Sequence, residues 1–325
     1  MDLRLALHHL AAKHNLAPAD AKRLLQLAQL EVPPQGHLPK LAFGVAIAAA
    51  ALGGLGIVIW VAANWDSLGR TGRFVLLESF VVVMCVGALL RPAARAALSL
   101  LAFLAIGGLF AYFGQTYQTG ADAWQLFALW AVLSLPLCLA VRSDVLWAPW
   151  ALVTMTAISL WVHAHTGNSW RIGSPELGAH LLAWAMALAL TFALSPLLQQ
   201  HTGAGPWALR AALILAIMIV VAPALMGLFS RDIAPQYWLG LAALAGAAAC
   251  FSSPKLFDVF GLSAVGLALD ILLVSGVAHL VFDGSSGDHI GALLLVGLFA
   301  AGLLAATVSV IMRLARNHET TGVTA

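Results

Sequence analysis

Charged side chains are scarce in this sequence of 325 residues. Lys, Arg, Asp and Glu together make up 9% of it, whereas a soluble globular domain carries roughly 25%. Hydrophobic residues make up 62%, and the mean hydropathy is +0.93. This composition excludes an ordinary soluble domain and indicates an integral membrane protein. We therefore expect the lipid bilayer to be a partner of the chain.

An excess of charge of either sign is also absent. Sixteen Lys and Arg stand against fourteen Asp and Glu, which leaves a formal net charge of +2. A protein that holds nucleic acid by its phosphates needs a basic field. We therefore exclude nucleic acid as a partner.

The sequence lacks the residue spacings typical of enzymes and metal sites. It contains no His-Glu-x-x-His, Gly-x-Ser-x-Gly, phosphate-binding loop, Cys-x-x-Cys or dinucleotide-binding glycine pattern. The three cysteines lie in apolar runs and predict packing thiols without a disulfide. We predict no cofactor, no metal and no identifiable catalytic residue, although scattered acids and histidines leave a membrane-embedded enzyme open.

Long apolar runs dominate what is present. A bilayer core of about 30 Å needs roughly 20 apolar residues per helix. Ten such runs cover approximately residues 41–63, 74–90, 96–117, 124–141, 145–163, 178–198, 207–229, 236–252, 256–282 and 289–312. The predicted fold is all-α, a polytopic transmembrane helix bundle of about ten spans over residues 41–312.

The segments that flank this bundle predict cytosolic elements. Residues 1–40 read as a short two-helix hairpin, with a turn before Pro18 and a Pro-rich linker after the second helix. Residues 313–325 form a tail. With the N-terminus inside, twelve of the sixteen basic residues fall on the cytoplasmic side, so we expect both termini to be cytoplasmic.

Tryptophans suggest which spans pack deeply. Trp130, Trp150 and Trp184 lie well inside their runs and are predicted to pack between helices. Trp147 lies at the inner end of its run, where an indole prefers the headgroup level.

Polar residues gather at the outer ends of the first three spans. Small residues line one face of the first span, including Gly53, and one face of the third, including Gly108, which favours close contact between these helices. We predict that the outer ends meet and bring Asn64, Glu78 and Gln115 within about one side-chain length of each other. The candidate binding residues of this outer mouth are Asn64, Trp65, Asp66, Glu78, Gln115, Tyr117 and Asp122.

Two acids fall at membrane depth, where a charge costs about 2.5 kcal/mol or more. Glu78 lies about one turn inside the second span, where Arg70 and Arg73 could neutralise it. Asp270 lies near the middle of the ninth span, on a face with Gly266 and away from the leucines, so we expect it to face protein or a cavity. Both acids are open to two interpretations: helix packing or ion coupling.

Two segments resemble a known family. Gly53 to Asp66 with Arg73-Phe74, and Phe113 to Tyr117 with Gly120-Ala121-Asp122, are similar to the signatures of the predicted bacterial membrane proteins called domain of unknown function 2157. The resemblance covers roughly residues 1–160. It implies a multi-pass protein of the bacterial inner membrane and implies no activity.

Three hypotheses about function follow. The first is a non-catalytic membrane partner or assembly component with a polar extracytoplasmic-facing site, acting with another membrane protein or as a homo-oligomer. The second is a small-solute or proton-coupled transporter that uses Glu78 and Asp270. The third is an embedded enzyme acting on lipid-linked substrates, with His163, His165, His180 and His279 as candidates.

Overall fold

The computed structural model describes residues 3–14, 16–28, 37–64, 69–117, 120, 122–167, 172–253, 256–284 and 289–322. Within these ranges the chain forms thirteen α-helices and no strand. The helices, in chain order, are α1 Leu3–Lys13, α2 Pro18–Leu27, α3 His37–Ala63, α4 Arg70–Leu90, α5 Arg95–Tyr117, α6 Ala123–Val141, α7 Asp144–His165, α8 Leu177–Ala193, α9 Gln199–Thr202, α10 Pro206–Leu228, α11 Pro235–Phe251, α12 Val259–Gly284 and α13 His289–Gly322.

The chain divides into two compact units, residues 1–52 and 53–325, with the boundary inside α3. In the first unit, α1 and α2 pack against each other. Helix α3 begins at His37, so Pro39 lies in its first turns and not in a linker as expected. Proline is tolerated there because the first backbone N–H groups of a helix have no intrahelical partner. Pro33 and Pro34 lie outside the described residues.

In the part of the chain that the structure describes, seven helices are long and apolar enough to cross a membrane, and an eighth span results if a bent pair is counted as one. The seven are α4, α5, α6, α7, α10, α12 and α13. Helix α11 has 17 residues, and the described apolar part of α3 is Gly44–Ile57. The bundle is therefore polytopic and all-helical as predicted, while the count of ten spans stays a prediction.

The helix limits differ from three of the approximate span limits. The run over 178–198 breaks after Ala193, because Pro196 disfavours helix at the residue before it, and the chain bends by 54° before α9. Helix α12 begins at Val259, three residues after the predicted start. Helix α13 continues through Arg313 to Gly322 and so includes most of the predicted tail.

Helix α10 is the centre of the second unit. It packs against α7, α8, α11 and α12, and its residues enter both hydrophobic clusters of the core. Its first half, including Ala208 and Ala212, contacts the cluster formed with α5 to α8. Its second half, including Val220 and Ala224, contacts the cluster formed with α8, α11 and α12. Small residues let several helices approach one helix closely.

Two buried tryptophans and one partly buried tryptophan join neighbouring helices. Trp130, Trp150 and Trp184 each donate an indole hydrogen bond to a backbone carbonyl on another helix, at 3.0, 2.8 and 3.0 Å. Their predicted packing between helices is confirmed. Trp147, in the first turn of α7, is 2% exposed and donates to the Thr202 carbonyl at 2.9 Å, so it also packs within the protein.

The predicted contact face of the small residues is displaced by one position. Among the described residues, nothing lies within 4 Å of a Cβ placed on Gly53 or Gly108. A Cβ on Gly54 would instead meet Leu104 of α5 at 3.1 Å, whereas one on Gly107 would overlap the Trp130 ring of α6. One residue rotates a helix by about 100°, so the helices meet through neighbouring faces.

Candidate functional site

The start of α4 and the end of α5 are joined by polar contacts. The Arg70 Nη2 atom donates to the Thr116 carbonyl at 3.0 Å, and the Tyr112 hydroxyl donates to the Arg70 carbonyl at 3.2 Å. The last carbonyls of a helix have no partner within it, so a guanidinium at the end of α5 satisfies one of them. These bonds fix the register of the two antiparallel helices at this end.

Aromatic rings surround the same arginine. The Arg70 guanidinium lies 4.7 Å from the centre of the Tyr117 ring, within the range of a cation–π contact. Phe74 stacks on Tyr112 at 4.6 Å, and Phe113 stacks on Tyr117 at 4.7 Å, measured between ring centres. The described partners of the Arg70 side chain are therefore an uncharged carbonyl and an uncharged ring.

A polar cleft of about 390 Å³ opens at this end of the two helices. Its wall, which we call the arginine cleft, consists of Arg70, Arg73, Tyr112, Gln115 and Thr116. Two arginines and no acid are among the described residues that line it. Guanidinium groups bind carboxylates and phosphates through paired hydrogen bonds, so the cleft suits an anionic group.

Two of the predicted mouth residues belong to this region. Gln115 is exposed and lines the cleft, and Tyr117 stacks under Arg70. Asn64 is half-buried and donates to the Trp60 carbonyl of its own helix at 2.9 Å. Asp122 is exposed just before α6, without a side-chain bond to the helix. Trp65 and Asp66 lie outside the described residues.

Glu78 lies on the outer surface of α4. Its side chain is exposed, and among the described residues it forms no ion pair and no hydrogen bond. Neither Arg70 nor Arg73 forms an ion pair with Glu78. They lie eight and five residues before it in α4, whereas side chains on one helix meet at separations of three or four residues. Gln115 likewise bonds to no described side chain, so the meeting of Asn64, Glu78 and Gln115 stays a prediction.

Asp270 lies between α12 and α13. It is 7% exposed, and its Oδ1 accepts a hydrogen bond from the Thr307 hydroxyl at 2.9 Å. Its Oδ2 is buried, and no described residue bonds to it. The acid thus faces protein, as its helical face predicted.

The histidines considered for catalysis are spread over several helices. His165 stacks on Trp161 of its own helix, His180 is buried in α8, and His279 lies 3.3 Å from Asp283 one turn away. Within the described ranges, no group of three His, Cys, Asp or Glu side chains is arranged to hold a metal ion.

Sequence reasoning missed the residues that build the arginine cleft. Arg70 and Arg73 entered only as counter-ions of Glu78, although two arginines just before an aromatic residue at a span end were a usable signal. Thr307 was missed because α13 reads as a uniformly apolar run.

The long apolar helices and their buried small-residue contacts define a polytopic helical membrane protein. Residues 8–147 match the family model described as "Predicted membrane protein (DUF2157)", which confirms the resemblance over that range. The matched range contains both family signatures and the whole arginine cleft. No curated protein and no solved structure matches the chain.

Proposed function

We propose that this chain is a non-catalytic assembly component of the bacterial inner membrane, which binds another membrane protein along α4. The observation that carries the proposal is the exposed carboxyl of Glu78. It lies eight residues after Arg70, which is about 12 Å along the helix at 1.5 Å per residue. An unpaired acid that faced lipid there would cost about 2.5 kcal/mol or more.

The rest of α4 supports an interface on the same helix. It packs mainly on α5, and 11% of its span is buried. Its exposed large apolar residues are Val75, Val82, Val83, Val86, Leu89 and Leu90. A partner helix on this surface would remove Glu78 from lipid and supply a hydrogen-bond donor or a cation.

The arginine cleft supplies the second contact of the proposed interface. A partner that follows α4 to its start reaches Arg70 and Arg73, which favour a carboxylate. We therefore expect a partner with a donor group at the depth of Glu78 and an acidic residue near the extracytoplasmic surface.

Transport through Glu78 and Asp270 has less support. Helix α4 packs mainly on α5, whereas α12 packs on α10, α11 and α13. The two acids therefore lie on helices with different neighbours. The bond between Asp270 and Thr307 also gives this acid a packing role.

The proposal can be tested by photo-crosslinking in host membranes, with a photoreactive amino acid at Val82. We expect a protein adduct whose yield falls at least several-fold in Glu78→Leu and persists in Glu78→Gln. Gln125→Leu, which removes an exposed polar side chain from α6, is the matched control and should leave the yield unchanged. An adduct of twice the mass would make the partner a second copy. The absence of an adduct, or an equal yield in Glu78→Leu, would contradict the proposal.

A further inference from the structure

A second cavity lies within the helical bundle, apart from α4 and the arginine cleft. It has a volume of about 420 Å³ and lies between α7, α8 and α10. Ligand pockets in proteins measure roughly 300–1,000 Å³. Its wall is mostly apolar and includes Met155, Met218 and Met226.

The cavity is elongated along the helices. On α10 its wall extends from Leu215 to Met226, which is 11 residues or about 16 Å. Half of a bilayer core of about 30 Å is about 15 Å. The wall on α10 ends two residues before that helix does. The cavity therefore extends from the middle of the spanning region to its surface, the depth of one lipid leaflet.

A histidine lies at one end of the cavity. Met155 and Leu215 form the deep end, whereas His180 and Ile172 lie at the end where α8 begins. His180 is 2% exposed and lies in the first turn of α8. Thr156 and Ser159 also line the cavity, and Thr156 donates its hydroxyl to the Leu152 carbonyl of its own helix at 2.8 Å. The wall is mostly apolar along its length and has an imidazole at the end near the membrane surface, which suits an acyl chain and its polar headgroup.

The side of the cavity faces the surroundings of the bundle. Met218 and Met226 are 58% and 43% exposed, although they line the cavity. Thioether side chains are flexible and adapt to apolar ligands of different shape. A ligand could therefore enter sideways from the bilayer without leaving an apolar environment.

We propose that this cavity binds one acyl chain of a membrane phospholipid, with the polar end of the lipid beside His180. The chain contacts the methionines of α7 and α10, and the headgroup remains at the membrane surface. Under the predicted topology this is the outer leaflet. The site is independent of the proposed interface along α4.

Full-length protein in vesicles of phosphatidylethanolamine and phosphatidylglycerol tests the site. The probe is a trace of phosphatidylethanolamine with a diazirine at the end of one acyl chain. After illumination, we expect adducts on the cavity residues of α7 and α10 to exceed those on Leu298, an exposed residue of α13. Equal labelling of the cavity and of Leu298 would overturn the proposal.

A variant that fills the cavity provides the second arm. Ala222→Phe adds a ring to the wall on α10, and we expect cavity adducts to fall about tenfold, the effect of losing about 1.4 kcal/mol of binding free energy. Ala245→Phe, at an exposed position on α11, is the control and should leave them unchanged. If Ala222→Phe does not fold, Ser159→Leu fills the opposite wall on α7. Adducts that persist in a folded filled variant would overturn the proposal.

Discussion

The Asp270 carboxyl shows how one acid is held among spanning helices. Thr307 donates to its Oδ1, and Gly266, one turn earlier, lets the Thr307 methyl group approach. A Cβ on Gly266 would lie 3.0 Å from that methyl carbon. The hydrogen bond therefore depends on a close approach of α12 and α13.

Asp270→Asn should leave the stability of the folded protein nearly unchanged, because the amide oxygen can accept the same hydrogen bond. Thr307→Val removes the donor and leaves a buried acceptor, so we expect a loss of about 0.6–2 kcal/mol. Thermal unfolding in detergent measures both changes. A large loss in Asp270→Asn with none in Thr307→Val would show that the carboxyl is held by something other than this bond.

Gly276 is a position where no side chain fits. The Tyr237 hydroxyl, which donates to the Leu272 carbonyl at 3.0 Å, occupies the space that a Cβ would need. Gly276→Ala should therefore destabilise the protein by about 1–3 kcal/mol, the usual cost of overpacking. Gly246→Ala is the matched control, because nothing described lies within 4 Å of its Cβ and Ala favours helix. Equal melting temperatures for the two variants would contradict this account.

At the scale of the element, Asp144 connects the starts of two helices. It is the first residue of α7, and its carboxylate accepts from the backbone N–H groups of Gly205, Trp207 and Ala208 at 3.1, 2.9 and 2.8 Å. These groups open α10, where an acid satisfies free N–H donors and favours the positive end of the helix dipole. Pro206 has no backbone N–H group, so it donates no hydrogen bond to Asp144.

Asp144→Ala should lower the free energy of unfolding by about 1–2 kcal/mol, since capping bonds are lost at the start of the central helix. Asp232→Ala, which removes an exposed acid from the loop before α11, serves as the control. Thermal unfolding in detergent compares the two. If both variants melt alike, the contacts of Asp144 contribute no net stability.

The positions of the helices could be predicted from the sequence more accurately than the faces through which the helices contact each other. Nine of the ten apolar runs each fall largely on one helix, because length and hydropathy are properties of the run alone, and the run over 178–198 is broken after Ala193. The face of α3 that meets α5 is displaced from Gly53 to Gly54, whereas Gly107 of α5 packs on the Trp130 ring of α6, because the face that is used depends on the neighbouring helix. The arginine cleft was missed for the same reason. Its residues come together only when the alignment of α4 along α5 is known.

For the whole molecule, the predicted topology places both termini in the cytoplasm. The basis is the distribution of basic residues, twelve on one side and four on the other. Reporter fusions after Gly322 should therefore report the cytoplasm, and fusions within residues 166–176 the extracytoplasmic side. A C-terminus outside would require an odd number of spans and would invert the second half of the bundle.

The proposed partner binding requires that the arginine cleft opens to the outside of the inner membrane. Gln115→Cys places a thiol in its wall, and labelling of spheroplasts with a membrane-impermeant maleimide tests its side directly. Gln199→Cys, exposed in α9 on the predicted inner side, is the control, and the unmodified protein gives the background of Cys85, Cys138 and Cys250. We predict that the thiol at position 115 is labelled in intact spheroplasts and that the one at position 199 is labelled only after lysis. Labelling at 115 only after lysis would contradict the account, because the cleft would then face the cytoplasm.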